Sequence, residues 1–189
     1  TEGDPGASIA APIGAVSENG NRVYWTDEGD LYLREGAQSF QVDEAKGGGG
    51  NFQAASSDGS VAFFTKEGHL YRFLANTKAV VDLTPSGGVL GVLGASVSGG
   101  DVYYQGASGI QRWHEGTSTQ VAPGAEAAIK SDYFPPTIGT ARVSPDGAHL
   151  AFLSTAELNG YDNAGRTEAF LYGPPAGGGA PQLNCASCS

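Results

Sequence analysis

The chain contains two cysteines, and they form a single motif, Cys185-Ala186-Ser187-Cys188. A Cys-x-x-Cys pair is compatible with a disulfide that closes a short loop, with two free thiols, or with half of a four-ligand zinc site. Zinc would need histidine ligands from elsewhere in the chain, and a thioredoxin-like role would need a βαβ context, which the sequence lacks. We therefore predict a Cys185–Cys188 disulfide first, with free thiols and a metal site as open alternatives.

Side chains for acid-base or nucleophilic catalysis are the next candidates. The chain has three histidines, and it has adjacent carboxylates in turn-like segments: His69, His114, His149, Asp27-Glu28 and Asp43-Glu44. No His-Glu-x-x-His or Gly-x-Ser-x-Gly motif is present, and we expect the histidines at exposed strand edges. Carboxylates in turns are solvated by default. These patterns predict no catalytic residue, no bound metal and no cofactor.

The composition indicates which elements carry these residues. The 30 glycines and 10 prolines are too many for a helical protein, whereas a hydrophobic content of 40% is too high for a disordered chain. A turn-dense all-β fold remains. The formal net charge of −10 disfavours binding to nucleic acid, and no apolar run reaches the ~20 residues of a membrane-spanning helix. We expect neither nucleic-acid binding nor membrane insertion.

A repeat runs along the chain, and its landmark is a tight turn followed by an apolar, aromatic strand. The four turns are Ser17-Glu18-Asn19-Gly20, Ser56-Ser57-Asp58-Gly59, Ser96-Val97-Ser98-Gly99 and Ser144-Pro145-Asp146-Gly147. Their glycines are separated by 39, 40 and 48 residues. Asn-Gly and Asp-Gly between apolar runs predict hairpins, because these residues accept the positive φ of the turn.

Four predicted strands per repeat correspond to one propeller blade, which takes ~40 residues. The repeats cover roughly residues 9–46, 47–86, 87–124 and 137–189, and we interpret the glycine run 47–50 as a flexible connector. A blade buries its two faces only by stacking on its neighbours. We predict a single β-propeller domain or segment of about four blades, each with four antiparallel strands, and we favour a part of a larger propeller over a closed ring.

The fourth repeat carries the motif of a known family. The segment Ala141-Arg142-Val143-Ser144-Pro145-Asp146-Gly147-Ala148-His149-Leu150-Ala151-Phe152 resembles the Ser-Pro-Asp-Gly repeat of TolB-type, WD-repeat-like bacterial β-propellers. The later pair Leu171-Tyr172 is similar to the Leu-Tyr strand of that repeat. The resemblance covers essentially the whole chain and implies an extracytoplasmic bacterial protein, whether secreted, periplasmic or at the cell surface. Propellers of this type serve as protein-binding platforms and as accessory domains of peptidases.

Two insertions interrupt the repeat, at residues 125–136 and 156–168. In an up-and-down blade both connections leave from the same face, so we expect them to lie side by side. Their aromatic, basic and short polar side chains have the composition of a recognition surface. The candidate binding residues are Tyr133, Phe134, Tyr161, Asp162, Asn163 and Arg166. The alternative is that these residues only pack the insertions onto the blade and turn the chain.

The second insertion also contains side chains with oxygen atoms that suit calcium: Asn159, Asp162, Asn163 and Glu168. Calcium prefers oxygen ligands, but the spacing of these residues does not fit the EF-hand loop. Ala164 stands where that loop requires glycine. We therefore interpret the segment as an ordinary polar loop.

Together these features predict a non-catalytic scaffold that presents loops to a protein, peptide or glycan partner. Exposed apolar faces on the end blades would favour self-association. The alternative from another class is the accessory propeller of a larger, peptidase-like hydrolase whose catalytic part lies outside this sequence. A third hypothesis is a purely architectural surface protein built from long arrays of the repeat.

Overall fold

The computed structural model describes residues 8–9, 14–127 and 139–188. Within these ranges the chain is all-β, and sixteen strands form four antiparallel sheets of four strands each. The described helical structure is one short 3₁₀ helix, Glu44–Lys46, and no described helix has the length and apolarity needed to span a membrane. The chain comprises two compact units, Thr1–Gly88 and Val89–Ser189. The all-β fold class predicted from the sequence is confirmed.

The first unit contains two sheets. One comprises β1 (Ser8–Ile9), β2 (Arg22–Asp27), β3 (Asp30–Glu35) and β4 (Gln38–Gln41), and the other comprises β5 (Asn51–Ala55), β6 (Val61–Lys66), β7 (His69–Leu74) and β8 (Ala79–Asp82). Neighbouring strands are consecutive in sequence and antiparallel, so each sheet is an up-and-down meander.

The second unit repeats this topology. Its sheets comprise β9 (Val89–Ala95), β10 (Asp101–Gly106), β11 (Gly109–His114) and β12 (Thr117–Pro123), followed by β13 (Ala141–Val143), β14 (Leu150–Ser154), β15 (Glu168–Gly173) and β16 (Gln182–Cys185). Their strand order is again sequential. Each of the four meanders thus corresponds to one sequence repeat.

The hairpin turns that begin the repeats share a hydrogen-bond pattern. In the second repeat, Ser56 Oγ donates to Asp58 Oδ1 (2.7 Å) and accepts from the Val61 N–H (3.0 Å). Asp58 Oδ1 also accepts from the Ser60 N–H (2.9 Å). The equivalent serines of the other turns make the same contact with the backbone N–H five residues later: Ser17 with Arg22, Ser96 with Asp101 and Ser144 with His149. Local hydrogen bonds from the turn serines therefore stabilise the hairpin turns that the sequence repeats.

The charge of Asp58 has an expected effect on acid stability. Hydrogen bonds from Ser56 and Ser60 lower the pKa of Asp58 from 3.8 to about 2. Because the pKa is lower in the folded state, the carboxylate stabilises the fold above pH 3.8, and this stabilisation disappears as the pH falls towards 2. Asp58→Asn keeps the acceptor, as Asn19 does in the first turn, and should lower the free energy of unfolding at pH 7 by less than about 1 kcal/mol.

Acid titrations of the unfolding free energy test this expectation. The difference between wild type and Asp58→Asn should shrink between pH 4 and pH 2, a window set by the unfolded and folded pKa values of Asp58. Glu18→Gln, which neutralises an exposed carboxylate in the first turn, is the matched control and should show a smaller change. A difference that grows as the pH falls would contradict the assignment.

The two sheets of each unit pack face to face in one register. We define the front face of a sheet by the third and fifth residues after its turn glycine, and the back face by the fourth. In the first unit, Tyr24 on the back face of the first sheet stacks on Phe52 of the second sheet at 5.3 Å and donates a hydrogen bond to the Gly59 carbonyl (2.8 Å). The buried cluster around them includes Leu31, Leu33, Ala62, Phe64, Tyr71 and Phe73.

The second unit uses the same register. Tyr103 on the back face of the third sheet packs with Leu150 and Phe152 on the front face of the fourth. Its hydroxyl donates to the Gly147 carbonyl at 2.9 Å, as the Tyr24 hydroxyl does at Gly59. The aromatic residues of the second strands therefore fill the space between paired sheets, which is what the repeat predicts.

One carboxylate of a turn is buried, which corrects the expectation that Asp43 is solvated. Asp43 has no exposed surface, and its Oδ2 accepts hydrogen bonds from the backbone N–H groups of Leu31 (3.1 Å) and Gly50 (2.7 Å). Leu31 lies on β3 before the first residue that pairs with β4, and Gly50 follows β4, so a side chain satisfies both N–H groups. Asp43 is therefore structural, and it offers no pair of solvated carboxylates with Glu44.

Hydrogen bonds also hold the glycine run that follows, which corrects its interpretation as a flexible connector. Within residues 47–50, the Gly49 N–H donates to Asp30 Oδ1 (3.0 Å). Lys66 Nζ donates to the Gly48 carbonyl (2.7 Å). Gly48 has φ of +71°, and a Cβ there would collide with the Asp30 carboxylate. Glycine is required by this close approach rather than by flexibility.

Candidate functional site

The longest described departure from the repeat is the connection between β14 and β15, residues 155–167. It contains two tight turns, closed by the Tyr161 N–H to the Leu158 carbonyl (3.2 Å) and by the Arg166 N–H to the Asn163 carbonyl (2.9 Å). Leu158 is 6% exposed and belongs to the core of the second unit. Leu158 therefore anchors the loop to the core, and we refer to residues 155–167 as the insertion loop.

Asn163 fixes the base of the insertion loop from the inside. Its side chain is buried, and its amide donates to the carbonyls of Thr155 (2.9 Å) and Ala156 (3.3 Å). Its Oδ1 accepts from the Gly165 N–H (3.0 Å). All of these partners lie within the loop itself, so Asn163 stabilises the loop from its interior.

The other predicted residues of this loop reach the surface. Asp162 and Arg166 are exposed, and Tyr161 is half-buried. Asp162 Oδ1 accepts from the Ala164 N–H at 2.8 Å, which holds the turn at the tip. The structure thus brings Tyr161, Asp162 and Arg166 together on one loop. Tyr133 and Phe134 lie outside the described residues.

The four oxygen-bearing residues considered for calcium are engaged with different parts of the fold. Asn159 donates to the Leu183 carbonyl, and Asn163 faces the loop interior. Glu168 is the first residue of β15 rather than part of the loop, and its carboxylate accepts a hydrogen bond from Ser187 Oγ. The polar-loop interpretation therefore has a structural basis in these separate partners.

Cys185 and Cys188 are joined by a disulfide, with their Cα atoms 5.5 Å apart. The disulfide loop is tied to the start of β15, because the Ala186 N–H donates to the Ala169 carbonyl (2.7 Å) and the Ala169 N–H donates to Ser187 Oγ (2.8 Å). It therefore closes the end of the sheet at the point where the insertion loop rejoins it.

Glu168 lies close to both sulfur atoms, and one ligand atom from each of the three residues falls within 4.8 Å of the others. In the described part of the chain this is the one group of three such side chains with metal-ligand spacing. A disulfide provides no thiolate, and zinc binds cysteine as the thiolate. The bonded cysteines and a zinc site are therefore mutually exclusive states.

A cleft of about 470 Å³ opens at the opposite end of β15. Its walls include Arg112, His114 and Glu115 from the third sheet and Tyr172 from the fourth. Arg112 Nη2 and His114 Nδ1 both approach Asp101 Oδ1, at 2.6 and 2.7 Å. Asp101 is 6% exposed, whereas the His114 side chain is 51% exposed.

The sequence analysis did not identify the group formed by Asp101, Arg112 and His114, although the spacing of these residues along the hairpin indicates it. Asp101 pairs with His114 across the hairpin, and Arg112 is two residues before His114 on the same face of β11. Burial acts to lower the pKa of Arg112, but the hydrogen bonds to Asp101 and the nearby charges raise it overall. Each of the other histidines has its own partner, Asp82 for His69 and the Pro174 carbonyl for His149, so the three remain separate.

Four-stranded meanders, hairpin turns that begin with serine and end with glycine, and face-to-face packing within each unit define a β-propeller repeat protein. The fold is similar to the tricorn protease, with a TM-score of 0.59 at 13% identity, covering 97% of this chain and 17% of that one. It is also similar to a protein assigned as TolB from Agrobacterium tumefaciens, with a TM-score of 0.58 at 18% identity, covering 96% of this chain and 62% of that one.

These comparisons bear on the fold. The sequence matches no protein-family model and no curated protein. The chain spans less than two thirds of the length of either structural relative. At these identities the similarity shows the fold, and it confirms the β-propeller architecture that the sequence repeat predicts.

Proposed function

We propose that this chain is a non-catalytic propeller scaffold that recognises a protein, peptide or glycan partner through its insertion loop. One observation carries the proposal: the loop has a buried base at Leu158 and Asn163 and an exposed tip at Asp162 and Arg166. A loop that is already ordered loses less conformational entropy on binding. The sheets provide the rigid support for this arrangement.

The exposed side chains have complementary binding chemistry. Tyr161 offers an aromatic face and a hydroxyl, and residues of this type are enriched at binding hot spots. Arg166 provides a planar guanidinium that suits carboxylates and hydroxyl-rich ligands. Asp162 adds an acceptor beside it. This combination favours a partner with both apolar and hydrogen-bonding groups over a small apolar ligand.

The proposal includes an extracytoplasmic location. Disulfides form and persist in oxidising compartments and are rare in the cytosol, and the Cys185–Cys188 bond fits that setting. The architecture shared with the A. tumefaciens protein assigned as TolB is compatible with it.

Selection of ligands from a displayed dodecapeptide library and from a panel of glycans tests the proposal. We expect the double variant Tyr161→Ala with Arg166→Ala to bind the selected ligand at least about tenfold more weakly than wild type, because both hot-spot side chains are removed. Isothermal titration calorimetry measures the affinity, and circular dichroism checks that the fold is retained.

Arg34→Ala is the matched control, because Arg34 is an exposed arginine on β3, outside the insertion loop. The control should bind the selected ligand as wild type does. Equal binding by wild type and the double variant would remove the insertion loop from consideration. Binding lost equally in the control would indicate a nonspecific charge effect.

A second candidate function is an accessory propeller of a larger hydrolase. The similarity to the tricorn protease, of which this chain spans 17%, favours it. The intact reading frame distinguishes the two proposals. Continuation into an α/β-hydrolase segment with a Gly-x-Ser-x-Gly nucleophile elbow would favour the hydrolase, whereas further Ser-Pro-Asp-Gly repeats would favour the binding scaffold.

A further inference from the structure

The cleft at the end of β15 lies where the two facing sheets of the second unit meet, and its two walls differ in chemistry. Side chains alternate along a strand, so every second residue of the β11–β12 hairpin shares a face. That face forms the first wall, with Arg112, His114, Thr117 and Thr119. The second wall comprises Tyr172 of β15 and Pro181, which directly precedes β16.

The first unit is closed at the corresponding place. Leu33 and Arg112 each follow the turn glycine of their sheet by 13 residues. Phe73 and Tyr172 each pair with the third residue after the turn glycine of their sheet. Leu33 and Phe73 are buried in the core of the first unit, whereas Arg112 and Tyr172 are partly exposed. The exchange of an apolar pair for two larger polar residues therefore opens the packed interface at this point.

An ion pair joins the two sheets of the first unit, and the second unit has other residues at the same positions. Lys78 Nζ lies 3.1 Å from Glu35 Oε2 and links the second sheet to the first. The equivalent residues of the second unit are Pro181 and His114. Proline has no charged side chain, and His114 approaches Asp101 instead, at 2.7 Å. These two positions therefore form no bridge across the cleft.

Asp101 fixes the nitrogen-bearing side chains of the first wall. Arg112 donates to Asp101 Oδ1 through Nε and Nη2, and His114 approaches the same oxygen through Nδ1. Arg112 Nη1 and His114 Nε2 take no part in these contacts. Thr117 and Thr119 are exposed on the same face, and a hydroxyl both donates and accepts. The wall therefore offers donors and acceptors on a partly preorganised surface.

The charges around the cleft favour a neutral ligand. Asp101 balances Arg112, and Glu115, whose side chain is 79% exposed, adds a carboxylate to the lining. The chain as a whole has a formal net charge of −10. An anion would lose hydration without gaining an unpaired cation, and the long-range field would repel it. For a cation, one solvated carboxylate is a weak attraction.

The two walls together match the surface of a sugar ring. One face of a pyranose carries C–H groups, which pack against an aromatic ring such as that of Tyr172, and its edge carries hydroxyls that donate and accept. An extended peptide instead presents its polar groups in a line, at ~3.3 Å per residue. The volume of about 470 Å³ lies within the ~300–1,000 Å³ of small-molecule sites.

We propose that this cleft is a binding site for a neutral saccharide of one or two rings. The ring stacks on Tyr172, and its hydroxyls bond to Arg112, His114 and the two threonines. The site lies at the opposite end of β15 from the insertion loop. It is therefore independent of the function proposed for that loop.

Isothermal titration calorimetry of the full chain with neutral and acidic disaccharides tests the proposal. The probes are maltose, cellobiose, lactose and diacetylchitobiose, with digalacturonic acid as the anionic counterpart. At least one neutral disaccharide should bind, with an affinity that high salt leaves unchanged. Digalacturonic acid should bind at least about tenfold more weakly than this disaccharide.

Thr119→Phe fills the cleft with the residue that the first unit has at the equivalent position. Phe40 pairs with Leu33 as Thr119 pairs with Arg112, so phenylalanine is compatible with this register. The variant should bind the selected disaccharide at least about tenfold more weakly, and circular dichroism checks that the fold is retained. Gln120→Phe alters an exposed residue on the opposite face of β12 and, as the matched control, should bind as wild type does.

Two further variants separate this site from the insertion loop. Thr117→Val removes a hydroxyl at nearly constant shape and should weaken binding about two- to tenfold, the value of one hydrogen bond. Tyr161→Ala with Arg166→Ala alters only the insertion loop and should leave disaccharide binding unchanged. No binding of any neutral probe, full affinity in Thr119→Phe, tighter binding of digalacturonic acid, or loss of binding in the loop variant would each overturn the proposal.

Discussion

Replacing Tyr103 with alanine is expected to lower the free energy of unfolding by about 3–5 kcal/mol. Its side chain is fully buried, meets Tyr172 edge to face with ring centroids 6.3 Å apart, and lies beneath the guanidinium of Arg112 at 5.7 Å. Alanine would remove the ring from the centre of the packed sheets of the second unit and leave the Gly147 carbonyl without its donor. Urea denaturation followed by circular dichroism measures the loss.

The matched control is Tyr103→Phe, which removes only the hydroxyl. Phenylalanine already occupies the equivalent position in the second repeat, at Phe63, so the ring alone is compatible with this site. The expected loss is about 1–2 kcal/mol, because the buried carbonyl of Gly147 becomes unsatisfied. If the two variants lost the same amount of stability, the ring packing would contribute nothing beyond the hydrogen bond, and our account of the sheet interface would be wrong.

Alkaline titration gives a second readout for the same pair. Burial disfavours the phenolate and raises the pKa of Tyr103 well above its ordinary value of 10.0. Because the pKa of Tyr103 is higher in the folded state than in the unfolded state, the neutral phenol contributes its full stabilisation below the unfolded-state pKa. This contribution is lost as the pH rises above the unfolded-state pKa. Tyr103→Phe should therefore lose less stability than wild type above about pH 10.

Replacing Asp101 with alanine is expected to lower the free energy of unfolding by about 3–5 kcal/mol, because it leaves a partly buried cation without its counter-charge. Arg112 is 16% exposed, and it donates to Asp101 Oδ1 through Nε (2.9 Å) and Nη2 (2.6 Å). His114 Nδ1 approaches the same oxygen at 2.7 Å. Alanine removes all three contacts, and the same denaturation experiment reports the effect.

A double-mutant cycle separates the pair from its surroundings. The variant that combines Asp101→Ala with Arg112→Ala should be less destabilised than the sum of the single variants, since removing both partners leaves no unpaired charge. Glu115→Ala, which removes an exposed carboxylate from the same cleft, should change stability by less than about 0.5 kcal/mol. Additive single losses would show that Asp101 and Arg112 do not act as a pair.

The hairpin turns could be predicted because their interactions are local. Ser56 contacts Asp58 two residues away and Val61 five residues away, and the same spacing recurs in each repeat. The alternation of apolar side chains along β14 is also a local pattern, which follows from the geometry of an extended strand. These short-range features were sufficient to identify the β-propeller repeat.

The roles of individual carboxylates could not be predicted in the same way. Asp27, Asp43 and Asp101 all lie at strand ends in the sequence, yet Asp43 is fully buried and Asp101 nearly so. Asp43 bonds to backbone N–H groups 7 and 12 residues away, and Asp101 to side chains 11 and 13 residues away. Such partners meet only once strand register is set, and composition carries no record of that register.

The order of residues specifies the repeating hairpins and the amphipathic strands, because interactions between residues that are close in sequence stabilise both. Whether a given polar residue is buried depends instead on which surfaces come into contact when the sheets pack. Asp162 and Asn163 are adjacent and similar in type, but one side chain projects to solvent and the other closes the loop from within. Likewise Leu153 and Phe152 are equally apolar neighbours, and long-range packing covers Phe152 alone.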